Sequence, residues 1–363
     1  MSSRIERLRE LLEEPLLVTN LVNVLYLTGF ESSNAALLVE PDGARLFTDF
    51  RYIESARAIE GVEAVQTKRS LIGWLSENLS GRIAFEANVL PWSFAEQLRG
   101  GAGSVAGEAG DARPRAGAGI ELVPRQGLVE QLRAVKDDGE LEKFRRACAI
   151  TDRMFERLVS EVRFVGRRER DVAWDITRLY HEEGADEPAF EAIVGSGATG
   201  ARPHARAGDK VIEPGELVVI DTGANVDGYV SDYTRTLATG ELDGEMREAY
   251  DVVLAAQQAG LDAIRAGVTG VDADAAARGV IERSDFAGTF GHGLGHGLGL
   301  DVHESPRLST ESPDTLAAGN LVTVEPGVYL EGRFGIRIED DVIVTEDGIE
   351  NPVRFTKELV TVS

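Results

Sequence analysis

The spacing of apolar residues changes along this chain, and the changes mark its elements. Ile5, Leu8, Leu11 and Leu12 recur at helical intervals and predict a helix over residues 5–14, ended by Pro15. Leu16-Leu17-Val18 then reads as a strand. Residues 35–40 and 44–48 flank Pro41-Asp42-Gly43, a hairpin turn signal. Further strands are expected over 62–67 and 82–86, and helices over 51–60, 71–79 and 91–98. This first part is a small α/β unit. It carries no nucleophile–base pair and no metal cluster, so scaffold and interface are its expected roles. Residues 100–119 are rich in Gly and Ala and poor in large apolar side chains, which predicts a mobile loop. A short strand at 120–124 precedes a charged amphipathic run from Val129 to about Val162, whose main helix Asp137 or Asp138 would cap. The domain boundary is expected within 127–137, giving domains 1–127 and 128–363. The second domain alternates helices (169–183, 245–266, 272–283) with strands (189–194, 217–238, 321–330, 335–345). Helices segregated between β-hairpins indicate an α+β fold.

Two of those hairpins carry acids where apolar residues would be expected. Leu217-Val218-Val219-Ile220 leads into Asp221, and Tyr229-Val230-Ser231 into Asp232, around the turn Asn225-Val226-Asp227-Gly228. A turn centred there sets Asp221 directly opposite Asp232, with Cβ atoms about 4.5–5.5 Å apart. The second hairpin turns at Gly332 and sets Glu325 opposite Glu339. Facing carboxylates on buried strands repel unless a positive charge lies between them. A metal ion is the simplest such charge. The two hairpins also hint at internal pseudo-symmetry.

Composition narrows the function classes. The chain has 363 residues, 43% of them hydrophobic, enough for a sizeable core in one large domain or two. A net charge of −24 argues against nucleic acid and anionic membrane as partners. One cysteine, Cys148, excludes an intramolecular disulfide framework and fits a reducing compartment. The charged N-terminus lacks an apolar signal core, and no run approaches the roughly 20 apolar residues of a membrane span. The expectation is a soluble, cytoplasmic protein.

The histidines support the metal reading. Of five, His204, His292, His296 and His303 lie in the second half near motif-like sequence, whereas His181 sits on a polar helix end and reads as a surface residue. The run from Gly291 to Gly299 sets two imidazoles in glycine-rich chain, which can approach a ligand or metal closely. Four carboxylates and one imidazole suit two divalent ions. Oxygen-dominated ligation points to Mn²⁺ first, with Co²⁺, Mg²⁺ or Zn²⁺ as alternatives. Two such ions about 3.5–4 Å apart can share a bridging hydroxide and polarise a carbonyl. Two other motifs lead elsewhere and fall short. Gly195-Ser196-Gly197-Ala198-Thr199-Gly200 has dinucleotide-site spacing, but Ala201-Arg202-Pro203-His204 follows it where a helix is required. No G-x-S-x-G elbow is present for a serine hydrolase.

The motifs as a set resemble metallopeptidase family M24. They are Ile220-Asp221-Thr222-Gly223, Ser231-Asp232-Tyr233-Thr234-Arg235-Thr236, Gly295-His296-Gly297, Val302-His303-Glu304, Val324-Glu325-Pro326-Gly327 and Arg337-Ile338-Glu339-Asp340. Thr19-Asn20 with Tyr26-Leu27-Thr28-Gly29-Phe30 resembles the creatinase-like N-terminal domain that accompanies Xaa-Pro peptidases. The resemblance spans nearly the whole chain. It implies a pita-bread catalytic domain behind a smaller α/β domain, and metal ligands at Asp221, Asp232, His296, Glu325 and Glu339. It implies a homodimer and hydrolysis of the bond between an N-terminal residue and proline by a metal-bridging hydroxide. Asp232, His296 and Glu339 would hold one ion, with Asp221 and Glu339 on the other. Glu325 would be the general base. His204 and His303 would steady the oxyanion or pass a proton to the proline nitrogen. His292 would face the substrate, and Arg337 would support Glu339 or the substrate. Aminopeptidase P, acting on longer peptides, is the first expectation, and prolidase, restricted to dipeptides, is the alternative. A metal-free binding module of the same fold is a third reading, which the intact ligand set disfavours.

Overall fold

The computed structural model describes residues 3–100 and 119–363. The loop expected over 100–119 lies almost wholly outside the described residues. The chain divides into two compact units, Met1–Arg133 and Ala134–Ser363.

The first unit contains helices α1 (Arg4–Arg9), α2 (Leu21–Thr28), α3 (Ile53–Ala56), α4 (Leu71–Asn78) and α5 (Trp92–Gly100). Its strands are β1 (Leu16–Val18), β2 (Ala35–Val39), β3 (Ala44–Thr48), β4 (Glu63–Gln66), β5 (Gly81–Glu86) and β6 (Ile120–Arg125). They form one mixed sheet in the order β4-β3-β2-β1-β5-β6. Ser3 caps α1 through a capping box with Glu6, and that helix ends at Arg9, so Leu11 is exposed. The pattern over 5–14 had suggested a longer helix. The helix expected over 51–60 shrinks to the single turn of α3. Conversely, α2 falls on the Thr19-to-Phe30 motif, where no helix was expected. Asn20 caps it by accepting from the Val22 N–H, and Gly29, with φ of 72°, ends it.

Helix α6 (Leu128–Ala134) belongs to the first unit except for its last residue, and the second unit opens on the pair α7 (Asp138–Glu161) and α8 (Glu169–Glu183). Asp137 caps α7 in a capping box with Glu140. Phe144, Cys148, Thr151, Phe155 and Leu158 recur at intervals of three and four and are buried. Phe155 stacks on Tyr233 and Phe355, with ring centroids 5.4 and 5.1 Å away. Strands β7 (Glu187–Pro188), β8 (Ile193–Ser196), β9 (Leu217–Thr222), β10 (Ala224–Val226), β11 (Tyr229–Val230) and β12 (Tyr233–Ala238) build the first acid hairpin and its neighbours. The strand expected over 189–194 is displaced to β8. A second helix pair follows, α9 (Gly244–Ala263) and α10 (Gly270–Ile281). It leads to β13 (Gly295–Gly297), β14 (Glu304–Leu308), β15 (Leu321–Val324), β16 (Gly327–Leu330), β17 (Phe334–Arg337) and β18 (Asp340–Val344). The order helix pair then acid hairpin thus occurs twice. Every residue of β9, β12, β15, β17 and β18 is buried. An acid in or beside those strands is therefore withdrawn from water.

The two hairpins differ in register. β16 pairs with β17 around Gly332, and β15 with β18, in one continuous frame that leaves Glu325 and Glu339 across the gap from each other, as expected. The first hairpin is shifted by two residues. Its turn is Asp227-Gly228, both with positive φ (51° and 82°), the geometry of a two-residue primed turn. Asp221 consequently pairs with Thr234, not with Asp232. A shift of two leaves every side chain on its original face, because the strand period is two. Asp221 and Asp232 remain diagonal neighbours on one face, within reach of each other.

Candidate active site

One cavity of about 600 Å³ is lined by all nine residues singled out above: Asp221, Asp232, His296, Glu325, Glu339, His204, His292, His303 and Arg337. They come from β9, the β11–β12, β15–β16 and β17–β18 junctions, β13, the end of β17 and three loops. Among the described residues, the one trio of His, Cys, Asp or Glu whose ligand atoms all lie within 4.8 Å of one another is Asp232, His296 and Glu339.

His296 sits on a strand, not on flexible chain. A Cβ at Gly295 would lie 2.0 Å from the Thr323 carbonyl oxygen, and one at Gly297 2.2 Å from that of Ser305. The glycines are there because neighbouring strands press on β13. The His296 Nδ1 sits 3.0 Å from the Gly297 carbonyl, so Nδ1 carries the hydrogen and the Nε2 lone pair faces the acids. Nε2 is 3.4 Å from Glu325 Oε1 and 3.7 Å from Asp232 Oδ2.

The carboxylates are under-supplied with donors. Glu339 Oε2 accepts from Thr234 Oγ1 at 2.7 Å, and Glu325 Oε1 from Thr323 Oγ1 at 3.3 Å. Asp221 Oδ2 accepts from Arg337 Nη2 at 2.6 Å, while its Oδ1 is buried with no hydrogen-bond partner. The Asp232 main-chain N–H donates to Asp341 Oδ2 at 2.7 Å, which sets the backbone at that corner. Arg337 donates from Nε to Thr234 Oγ1 and from Nη1 to Tyr329 Oη, at 2.9 and 3.0 Å. Its principal carboxylate partner is thus Asp221; Glu339 is 3.9 Å away.

Burial drives the electrostatics. It pushes the Asp232 carboxyl well above the usual range, assisted by the charges of Asp221, Asp341 and Glu325. Glu339 rises for the same first reason, with Asp232 next. Glu325 is pushed up to about 7 by burial, against the pull of Arg337. Burial also lowers His296 to about 3 and His292 to about 4, so both imidazoles are neutral at pH 7. A cluster of acids that prefer protons, around neutral imidazoles with an orphaned oxygen, would be relieved by cations. The donor set, oxygen with one nitrogen and no sulfur, fits hard or borderline divalent ions.

The histidines divide. His303 is ring-to-ring with His296, 4.4 Å between centroids, and His204 is exposed on its loop at the cavity. The His292 Nε2 is 3.0 Å from Tyr329 Oη. Four cavity residues escaped the sequence reading, Ser309 among them. Phe190 and Ile193 form apolar wall. Arg307, on β14, is the fourth. Its signal was a single cation four residues beyond His303, which one chain alone does not distinguish from a surface charge. Tyr329 was missed because nothing local says that its hydroxyl meets both His292 and Arg337.

Comparison with known proteins gives a consistent result. Residues 142–346 match metallopeptidase family M24, and residues 4–135 match the creatinase/prolidase N-terminal domain. An Xaa-Pro dipeptidase structure from Bacillus anthracis superposes with a TM-score of 0.91 at 36% identity, covering 99% of both chains. The Xaa-Pro dipeptidase of Pyrococcus horikoshii is 30% identical over 99% of both chains. An X-Pro aminopeptidase structure from Thermotoga maritima superposes with a TM-score of 0.85 at 34% identity, covering 98% of this chain and 100% of the other.

Proposed function

This chain belongs to metallopeptidase family M24, and from that membership we propose that it hydrolyses the bond between an N-terminal residue and proline, with dipeptides as its preferred substrates. Its second unit is the pita-bread domain and its first the creatinase-like one. The preference for dipeptides revises the expectation of an aminopeptidase. The observation that carries it is Arg307. This guanidinium lines the cavity and has no ion-pair partner among the described residues. The other cation of the wall, Arg337, is already engaged by Asp221. A free cation beside neutral histidines suits the C-terminal carboxylate that only a dipeptide places next to its scissile bond. The names of the relatives from Bacillus and Pyrococcus point the same way.

The proposed roles follow from the geometry. Asp221, Asp232, His296, Glu325 and Glu339 would hold two divalent ions, which when bound supply Lewis acidity to the scissile carbonyl and acidify a water. Glu325, which lines the cavity beside His296, would take the proton of the attacking water. That proton passes to the proline nitrogen as the C–N bond breaks, yielding a free amino acid and proline. His303 and His204, which line the cavity, would donate a hydrogen bond to the carbonyl oxygen that strengthens as it gains charge. Phe190 and Ile193 offer an apolar wall to the pyrrolidine ring. The proline imide has no N–H and a fixed φ, so a shaped wall replaces the main-chain hydrogen bonding that general peptidases use.

Purified protein with added Mn²⁺ should release proline from Ala-Pro and Gly-Pro and leave Ala-Ala intact. Release of proline from neither Ala-Pro nor Gly-Pro would refute the reading. The second reading, an aminopeptidase, is favoured by the likeness to the Thermotoga structure. Faster cleavage of Ala-Pro-Ala than of Ala-Pro would establish it instead. Mn²⁺ as the native ion, a homodimer and a cytoplasmic location complete the proposal. Metal analysis, light scattering and fractionation test them.

A further inference from the structure

Helix α10 contributes nothing to the cavity wall, yet it is tied to the chain that does. Asp274 and Arg278 lie one turn apart on it. They form a two-pronged ion pair, Nε to Oδ2 at 2.7 Å and Nη2 to Oδ1 at 2.8 Å. A pair at this spacing on a helix surface contributes little to stability. This one faces inward: Asp274 is 1% exposed. Its remaining hydrogen bonds all go to the main chain of one short segment. Arg278 donates to the Phe290 carbonyl at 2.8 Å and the His292 carbonyl at 2.6 Å. Asp274 Oδ1 accepts from the Leu294 N–H at 3.0 Å. The guanidinium also lies 4.2 Å from the centre of the Phe290 ring, and the His292 imidazole meets that same ring edge-on at 5.0 Å.

We infer that Asp274 and Arg278 are positioning residues for His292, fixing the main chain from Phe290 to Leu294 so that the imidazole is held at the cavity wall. Glycines flank His292 on both sides and leave the segment little stiffness of its own, beyond the His292 Nδ1 contact to the Gly293 carbonyl at 2.8 Å. The planar fork of arginine reaches two carbonyls and a carboxylate at once, which a lysine ammonium cannot match. The segment also reaches the next acid: the Leu294 carbonyl accepts from the Glu325 N–H at 2.8 Å. The inference rests on the peptidase reading, with His292 facing substrate.

A double-mutant cycle in the Mn²⁺-loaded, full-length protein tests it. Arg278→Gln should lower kcat/KM for Ala-Pro by about 10–100-fold, the usual cost of losing a partner that orients a site residue. In a His292→Ala background the same substitution should cost no more than about 3-fold, because what it positioned is gone. Equal costs in the two backgrounds overturn the inference. Arg145→Gln, which removes the exposed pair with Glu350, is the control and should leave kcat/KM unchanged. If Arg278→Gln fails to fold, Arg278→Lys keeps the charge without the fork and runs the same cycle. Hydrogen exchange supplies a readout independent of turnover. In metal-free protein, residues 290–294 should exchange at least about 10-fold faster in the Arg278 variant than in the parent. Unchanged protection there also overturns the inference. A parent enzyme inactive on every Xaa-Pro peptide would instead refute the peptidase reading, and exchange would still decide the clamp.

Discussion

Glu86 and the acids of the cavity are buried alike but supplied differently. Glu86, 5% exposed in the first unit, accepts from the main-chain N–H of Thr19 at 2.6 Å, that of Asn20 at 2.8 Å and the Asn23 amide at 2.6 Å. Burial raises its pKa, and those donors pull it back. Its oxygens are satisfied by the protein. In the second unit, Asp232, Glu339 and Asp221 are no more exposed than 9%, yet Asp221 Oδ1 has no partner, and burial followed by the charge of Asp232 pushes Glu339 upward. A satisfied buried acid holds a fold together. An unsatisfied set of them is a receptor for something the chain does not itself contain.

The largest effect that would sharpen the contrast is on turnover. Asp232→Ala or His296→Ala should lower kcat/KM for Ala-Pro by about a thousandfold or more, roughly 4 kcal/mol of transition-state stabilisation. Glu86→Gln should leave kcat/KM within about 2-fold and cost about 1–3 kcal/mol of stability, since one accepting oxygen becomes an amide nitrogen that cannot accept from these donors. Full activity in both cavity variants would collapse the distinction.

Metal removal comes next. Chelation should lower the calorimetric Tm of the second unit by roughly 5–15 °C, the loss expected when an ion present at about 100–1,000 times its Kd is withdrawn. The metal-free protein should also lose stability as pH rises. Raised carboxyl pKa values mean that the folded state holds more protons than the unfolded one, so stability falls with increasing pH. For Glu325 the gain is complete below its unfolded pKa and disappears as pH passes about 7. The depressed His292 and His296 work in the opposite direction, but only below about pH 6.5, where the unfolded imidazole gains its proton. Between about pH 6.5 and about pH 8 the opposing histidine contribution fades and the acids outweigh it, so Tm of the metal-free protein should fall. A rise over that interval would refute the assignment.

Arg307→Gln should raise KM for Ala-Pro by about 10–100-fold, the worth of one charge-assisted hydrogen bond. It should hardly affect cleavage of Ala-Pro amide, which lacks the carboxylate. Equal effects on the two substrates would remove Arg307 from the dipeptide proposal. The smallest effect is that of salt. Of the 38 basic residues only five are lysine, against 62 acids, for a net charge of −24. Raising KCl from about 0.1 M to about 1 M shortens the screening length from about 10 Å to about 3 Å. Surface repulsion should weaken and Tm rise by a few degrees. A Tm indifferent to salt would mean that the acids are spaced widely enough to ignore one another.

Much of this molecule was legible in one dimension. The apolar runs before Asp221, Asp232 and Glu325 located buried strands, and an acid inside such a run is conspicuous wherever the strand goes. The parity of a strand also survives error. The turn at Asp227-Gly228 moved the first hairpin by two residues, and the acids stayed on one face because side chains alternate with a period of two. The Asp137 cap was readable because capping is a matter of three or four neighbouring residues.

Folding alone determined what depends on the meeting of distant segments. Asp221 is held by Arg337, 116 positions away, leaving one oxygen bare. The glycines around His296 answer to Thr323 and Ser305 across the sheet. His292 is held by a helix whose own periodicity shows only an ordinary surface ion pair. Local pattern reports burial and face, because these follow from the period of one element. Distances, orphaned atoms and clamps belong to pairs of elements, and only packing brings those together.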